Sequence, residues 1–425
     1  MHTKQYSKQV QKRKKIGNRT LVIGMDIGSA FNAACFMDKE GNVLGRYPKI
    51  YNSRKGFDYF HTMVEQTKRK HKLTRVFIGM EPTGHYWRKI AFFAKEKGYD
   101  VRFVRTTAVK HQRELDESSS AKSDIKDAFT IGNIAREGKY IDTVIEESVF
   151  RNLRTLAHVR EKTVRSSTSA THVLQAVLDD YFPELRDIFW SAKAKGLTAL
   201  LAHYPFPEDV RSAGLAAVTA LLEPTNKRRR QAREKAKQIY QAATESVGLT
   251  TIGVADRVRL ATALEEVTRS EARIKGIEHE IKELLKEIPV AAYIQSLPGI
   301  GPVSCGIFLG ELGNPDYFKH PRQIIKYSGY DPKEDESGLR VGRKIISKKG
   351  RWLLRKVLFF MALNVVQRSS FFKGYYEHKK KGLHHPLKKK EALCAVILKL
   401  IRVIFALMRD GRMFTEELNR CQEAA

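Results

Sequence analysis

Two short apolar runs that each end on an acid constrain this chain most. Leu21-Val22-Ile23-Gly24-Met25 runs into Asp26, and Val76-Phe77-Ile78-Gly79-Met80 runs into Glu81. Runs of this length and make-up read as strands, so both carboxylates stand at strand ends. Two more acids, Asp124 and Asp127, lie three apart in Ala121-Lys122-Ser123-Asp124-Ile125-Lys126-Asp127-Ala128. On a helix, positions i and i+3 share a face. Acids at two strand ends and on one helix face can converge, and their hard oxygens suit Mg²⁺ or Mn²⁺. A pair of such ions about 4 Å apart can activate a nucleophile and stabilise a leaving oxygen in phosphoryl transfer. Any one of these acids alone reads equally well as a surface charge or a helix cap, and Asp124 as a first-turn acid. The ordered set at element boundaries carries the reading.

Charge supplies the substrate class. The 425 residues hold 77 Lys and Arg against 47 Asp and Glu, a formal net charge of +30. That excess gives a sequence-independent attraction to a phosphate backbone. A basic scaffold or a membrane-surface protein is the alternative. An apolar content of 42% is enough for packed cores and excludes a disordered chain. The length suggests two or three domains. Cys35, Cys305, Cys394 and Cys421 show no metal-ligand spacing and fit reduced thiols in a cytosol. The N-terminus is polar and basic through Lys15, so no signal peptide is expected. The apolar stretch Ala392 to Met408 carries Lys399 and Arg402 and reads as a buried helix rather than a membrane span.

Four segments follow along the chain. Residues 1–19 form a basic arm, expected to stay mobile until it meets a partner. Residues 20–145 read as α/β, with strands at Leu21–Ile27, Ala33–Met37 and Val43–Ile50 and a hairpin loop over Asp38-Lys39-Glu40-Gly41-Asn42. A helix near Lys55–Lys70, a strand at Arg75–Met80, a helix near Tyr86–Glu96, a strand at Val101–Arg105 and a helix from Ser123 complete it. Three meandering strands and then alternating helices and strands is the order of a ribonuclease-H-like domain. Residues 146–288 read as helical, with Leu260, Val267, Ile274, Ile281 and Ile288 recurring every seven residues and Leu264, Ile277 and Leu284 on the same stripe. This is a coiled coil or a long helical hairpin, with Leu153 to Leu178 as the partner in the second case. An insert over 188–252 carries the basic run Lys227-Arg228-Arg229-Arg230, which is either a solvated face or a nucleic-acid contact. Pro289 breaks the long helix, and 289–425 form a smaller, very basic, mainly helical domain.

That last domain holds a second constellation. Leu297-Pro298-Gly299-Ile300-Gly301 before an apolar helix resembles a helix-hairpin-helix turn. Such a turn offers phosphate the backbone N–H groups around Gly299 and Gly301; an ordinary Pro-Gly turn is the alternative. Tyr327-Ser328-Gly329-Tyr330 leads to the polar loop Lys333-Glu334-Asp335-Glu336-Ser337-Gly338, and Arg340, Arg343, Lys344, Lys348, Lys349 and Arg351 follow. A serine among guanidinium groups can attack a phosphodiester held by Arg forks. Spacing alone favours a solvated loop residue at Ser337 over a nucleophile.

These motifs together resemble one family. Gly24-Met25-Asp26-Ile27-Gly28, Met80-Glu81-Pro82-Thr83-Gly84 and Lys122-Ser123-Asp124-Ile125-Lys126-Asp127-Ala128 look like the acidic motifs of the DEDD transposases of the insertion-sequence 110 family, related to the pilin-gene invertase. Leu297-Pro298-Gly299-Ile300-Gly301, Glu336-Ser337-Gly338 and Ser347-Lys348-Lys349-Gly350 resemble its C-terminal transposase domain. Ser123 stands where the family often has Thr. The resemblance implies a RuvC-like nuclease domain with Asp26, Glu81, Asp124 and Asp127 as metal ligands, a helical linker, and Ser337 as nucleophile. It also implies recombination of donor and target DNA guided by a bridge RNA, and a composite site in which the acids of one subunit meet the serine of another. A homodimer that becomes a tetramer on DNA, in the cytoplasm with the nucleoid, is the expected setting.

Two other functions fit the residues. A RuvC-like junction resolvase would use water, with Ser337 merely structural; a covalent protein–DNA intermediate separates it from the recombinase. A non-catalytic architectural protein would tolerate loss of Asp26 or Asp127. A tyrosine recombinase fits less well, because His85-Tyr86-Trp87-Arg88 lies far from Tyr375 and Tyr376 without a supporting arginine order.

Overall fold

A computed structural model describes residues 9–82, 84–116, 123–141, 148–226, 228–333, 336–337, 340–341, 345–381 and 386–416. The chain divides into two compact units, Met1–Glu147 and Ser148–Ala425.

The first unit is a six-stranded mixed sheet with helices on both faces. Its strands are β1 (Thr20–Asp26), β2 (Phe31–Met37), β3 (Lys49–Tyr51), β4 (Arg75–Met80), β5 (Asp100–Val104) and β6 (Tyr140–Ile141), in the order β3-β2-β1-β4-β5-β6. β1 pairs antiparallel with β2 and parallel with β4, and β4 pairs parallel with β5. The central runs are buried on both faces, which is why they read as continuously apolar. The helices are α1 (Arg54–Lys70), α2 (Trp87–Glu96), α3 (Thr106–Asp116) and α4 (Asp124–Arg136). α1 begins where Ser53 accepts a hydrogen bond from Gly56 N at 3.1 Å.

Three expectations need correction here. The third strand is shorter than Val43–Ile50: Gly45 sits at φ +106°, and Pro48 has no N–H to give a ladder. Only an isolated bridge, Met37 to Val43, precedes Lys49–Tyr51. The arm is not free throughout. Residues 9–14 are helical, Ile16 is buried, and Lys12 donates to the Tyr140 carbonyl at 2.7 Å with its ammonium over the Tyr140 ring. Finally, α3 forms between β5 and α4, where no helix is expected from the sequence.

The second unit is built on a helical hairpin. α5 (Val149–Tyr181) pairs along its length with α10 (Val254–Leu285). At 1.5 Å per residue each arm is roughly 50 Å long. Leu260, Val267, Ile281 and Ile288 are buried, while Ile274 and Ile277 are half-buried. The heptad stripe therefore finds a cover within its own unit, and of the two readings it is the helical hairpin that forms. Arg160 and Glu278 pair across it at 2.6 Å.

The hairpin carries a core at each end. One lies among α6 (Leu185–Ile188), α7 (Lys195–His203), α8 (Pro207–Leu222) and α9 (Arg229–Thr244), packed on Leu174, Leu178, Leu260 and Leu264. The other joins Leu153, Ala157, Ile281 and Leu285 to α11 (Val290–Gln295), α12 (Pro302–Leu312), α13 (Pro321–Ser328), α14 (Trp352–Arg368), α15 (Ser370–Lys381) and α16 (Lys389–Asp410). α12 comes very close to the hairpin at two glycines. A Cβ on Gly306 would meet Ile281 at 2.3 Å, and one on Gly310 would meet the Arg154 backbone at 2.6 Å. α16 contains the apolar stretch Ala392 to Met408 and is a core helix. No described helix is long and apolar enough to cross a membrane.

Candidate active site

Register places the first two acids side by side. Met25 and Met80 are partners on parallel strands, so Asp26 and Glu81 follow at the same level on β1 and just beyond β4. Neighbouring strands lie about 4.8 Å apart. Asp124 and Asp127 occupy the first turn of α4, where the helix dipole favours negative charge. Glycine brings that helix down onto the sheet. Gly24 and Gly79 are register partners. A Cβ on Gly24 would meet Ala128 O at 2.0 Å and Gly132 N at 2.3 Å, and one on Gly79 would meet Ala135 Cβ at 2.5 Å. Any side chain there would lift α4 and carry Asp127 away from Asp26.

The result is a crowd of negative charge. Glu81 and Asp127 are buried, Asp26 is half-buried and Asp124 is exposed. Asp26 is pushed up to about 6, first by burial and then by Asp127, Asp124 and Glu81, with Arg113 opposing. Arg113, on α3, stands 2.6 Å from Asp127 through its Nε. That Nε–H is not aimed at an acceptor, so the Nε contact is an ion pair. Among the described residues, no three His, Cys, Asp or Glu side chains stand grouped to hold a metal as they are. The donor set still suits one: four carboxylates, one of them resisting ionisation first through burial and then through the others.

The serine lies in the second unit. Strand β8 (Glu336–Ser337) pairs antiparallel with β9 (Arg340–Val341), which sets Ser337 opposite Arg340. Below them β7 (Pro332–Lys333) pairs with β10 (Ile345–Ile346). The Ser337 and Arg340 side chains, and all of Arg343 and Lys344, lie outside the described residues.

The base of this loop is closely tied. Ser347 N donates to Asp331 O at 2.8 Å, and Ser347 Oγ to Asp331 Oδ1 at 2.5 Å. Arg355 Nη1 donates to Ser328 O at 3.0 Å and Lys348 O at 3.2 Å. Lys348, at φ +55°, and Lys349 are exposed on it. Arg351 Nη1 donates to Glu311 O at 2.9 Å. The fully buried Glu311 carboxylate meets His158 Nε2 at 2.8 Å and Arg154 Nε at 3.4 Å. The loop base is thereby keyed to the helical hairpin.

The expected turn at Leu297–Gly301 joins α11 to α12. Gly299 is left-handed at φ +89° and packs on Asn364, while Gly301 is exposed and caps α12. Sequence reasoning missed Gly24, Gly79, Gly132, Arg113 and Glu311. A signal for the first pair was present: Ile23-Gly24-Met25-Asp26 and Ile78-Gly79-Met80-Glu81 share one pattern. Arg113 and Glu311 carried none.

Comparison with known proteins gives the family. Residues 23–183 match the model of the DEDD transposases of the IS110 type, and residues 291–377 match the transposase IS116/IS110/IS902 family. The 44.8 kDa protein of insertion element IS116 from Streptomyces clavuligerus is 25% identical over 92% of this chain and 96% of its own length. The 43.6 kDa protein of insertion element IS110 from Streptomyces coelicolor is 23% identical over 76% of this chain and 80% of its own. The pilin gene-inverting protein of Moraxella bovis is 24% identical over 34% of this chain and 46% of its own. The two family matches take in all four acids and the serine loop, and the chain belongs to the IS116/IS110/IS902 family of DNA transposases.

Proposed function

We propose that this transposase cuts and rejoins DNA through Ser337, with Asp26, Glu81, Asp124 and Asp127 of a RuvC-like unit holding Mg²⁺ or Mn²⁺. The RuvC-like reading is supported by the strand order β3-β2-β1-β4-β5 with an antiparallel start and parallel continuation, and by acids at the carboxyl ends of β1 and β4. The single observation that carries the metal reading is placement: register sets Asp26 beside Glu81, and α4 packs on β1 with Asp124 and Asp127 in its first turn. Carboxylates that oppose each other's ionisation are relieved by a cation, and hard oxygens select a divalent one. Ions bound there would neutralise charge on the scissile phosphate and ease loss of the attacking hydroxyl's proton.

The protein's own residues do the rest. Ser337 Oγ attacks phosphorus and loses its proton; one P–O ester bond of the strand breaks, and the departing oxygen takes up a proton. One phosphoester replaces another, so rejoining to a new end needs no ATP. Arg340, across the strand pair from Ser337, clamps the phosphate together with Arg343, Lys344, Lys348 and Lys349. The turn at Gly299 and Gly301 presents backbone N–H groups to the duplex.

The surplus of positive charge is assigned to a bridge-type guide RNA beside donor and target DNA. Arg228, Arg229 and Arg230 are exposed at the start of α9, the end of a helix where cations are unfavourable without an anion. Lys379, Lys380 and Lys381 close α15, and Lys388, Lys389 and Lys390 open α16. The working assembly is a dimer that becomes a tetramer on DNA, in the cytoplasm with the nucleoid.

The test is a nicked suicide DNA substrate offered with guide RNA and Mg²⁺. The wild type should yield a covalent protein–DNA band on a denaturing gel. Ser337→Ala should bind both nucleic acids and give neither adduct nor recombinant. If it still recombines, the nucleophile is water or another residue and the resolvase reading replaces this one. Equal recombination without RNA would overturn the guide.

A further inference from the structure

Arg113 is a cation that the structure sets directly against the acidic cluster. It reaches Asp127 from α3, a helix held to the sheet mainly at its start. Val109 is buried in the core beneath α4. Beyond it, His111 and Glu114 are exposed, and Leu115 is 81% exposed. Arg113, half-buried, is one anchor of the second half of α3, on a buried carboxylate. A guanidinium and a divalent ion cannot both take the same carboxylate face, and the guanidinium here neutralises the charge that an ion would otherwise neutralise.

We propose that Arg113 is a built-in stand-in for the metal: it occupies Asp127 in the metal-free protein, leaves when the ion enters, and so couples metal binding to release of the C-terminal half of α3. This rests on the metal reading of the acids given above. The Nε contact is an unaligned ion pair, so an ion that takes over the charge of Asp127 displaces no aimed Nε–H bond. The arrangement also gives the folded metal-free protein a way to tolerate four acids at one point. The ion then has to compete with Arg113, and by linkage whatever pulls Arg113 away tightens metal binding.

The experiment titrates the purified full-length protein with Mn²⁺ alone, free ion being read by electron paramagnetic resonance. Wild type, Arg113→Gln, Arg113→Lys and Asp127→Asn are compared, with circular dichroism confirming the fold of each. Arg113→Gln should bind Mn²⁺ about tenfold more tightly than wild type, the scale of removing one partly exposed competing charge. Arg113→Lys, which keeps the charge, should stay near wild type. In chelator Arg113→Gln should melt below wild type, and saturating Mn²⁺ should remove the difference. In the wild type, Mn²⁺ should speed amide exchange over 110–116. Asp127-dependent binding of equal or lower strength in Arg113→Gln overturns the exchange alone. Absence of any Asp127-dependent binding in both proteins overturns the metal reading itself.

Discussion

Asp26 and Glu81 lie one residue beyond fully buried methionines, and α4 reaches them over glycines that leave no room for a methyl group. Ser337 lies on a two-residue strand whose partner is another two-residue strand, joined to its core through Asp331, Ser347, Arg351 and Arg355. The acids are placed by the packing of a core; the serine is placed by the polar ties of a stem. A core fixes positions through many contacts and resists change in volume. A stem fixes them through a few hydrogen bonds and ion pairs, and can be loosened without unfolding what lies beneath.

Four measurements would break or sharpen that contrast. The largest effects are on chemistry. Asp26→Asn and Ser337→Ala should each lower recombination by roughly 10³-fold or more, as for loss of a group acting directly in the transition state. Ser337→Ala should leave urea stability within about 0.5 kcal/mol, the range for a substitution away from a core. A larger loss would mean that the serine is also structural.

Next comes volume. Gly24→Ala should cost about 3 kcal/mol in urea unfolding, because its methyl would overlap the α4 backbone. Gly374→Ala, in α15 with nothing within 4 Å, should stabilise by up to about 1 kcal/mol. Equal effects at the two sites would show that α4 does not press on the sheet as described.

Third is the stem. Glu311→Gln removes the charge that Arg154 and His158 share, with Arg351 Nη1 3.8 Å from its other oxygen. The arginines are part-exposed, so a loss of about 2 kcal/mol is expected, below the range for fully buried pairs. Recombination should fall while Mn²⁺ affinity is unchanged. A change in Mn²⁺ affinity would break the separation between the two regions.

The smallest effect is on pH, and its sign differs between them. Asp26 titrates near 6 when folded, above its ordinary 3.8, so the folded state holds its proton longer than the unfolded one. Its contribution is fully present below pH 4 and is lost as pH rises to 6. Glu161 is opposed by its burial, but Lys356 at 2.8 Å and Arg165 at 3.0 Å hold it below its usual value. Its contribution is present above about 4.5 and is lost as pH falls through that lowered value. Metal-free melts should therefore show Asp26→Asn flattening the fall between pH 4 and 6, and Glu161→Gln flattening the rise at lower pH.

Much of the acidic site was legible because its signals are local. Each acid ends an apolar run or opens a helix, and both features follow from propensity and pattern within a few residues. The strand at Arg75–Met80 was read to the residue, and α1, α2, β5 and α4 to within one. α3 was not legible: among its described residues only Val109 is buried in the core, too little to leave a periodic trace. The heptad stripe announced a long helix but not its partner, since an apolar face is the same whether a neighbour or another copy covers it.

The sequence by itself determined the inventory: which residues are acidic, where strands and helices start, how basic the chain is, and which family motifs it carries in order. Only the tertiary structure decided which of those residues meet. Gly24 facing Gly79, α4 pressed onto both, Arg113 on Asp127, and Glu311 keyed to Arg154 and Arg351 are contacts between residues distant along the chain. Their geometry is set by how whole elements pack and by which charges must be neutralised once water is excluded. That balance is a property of the assembled core, and no window of sequence contains it.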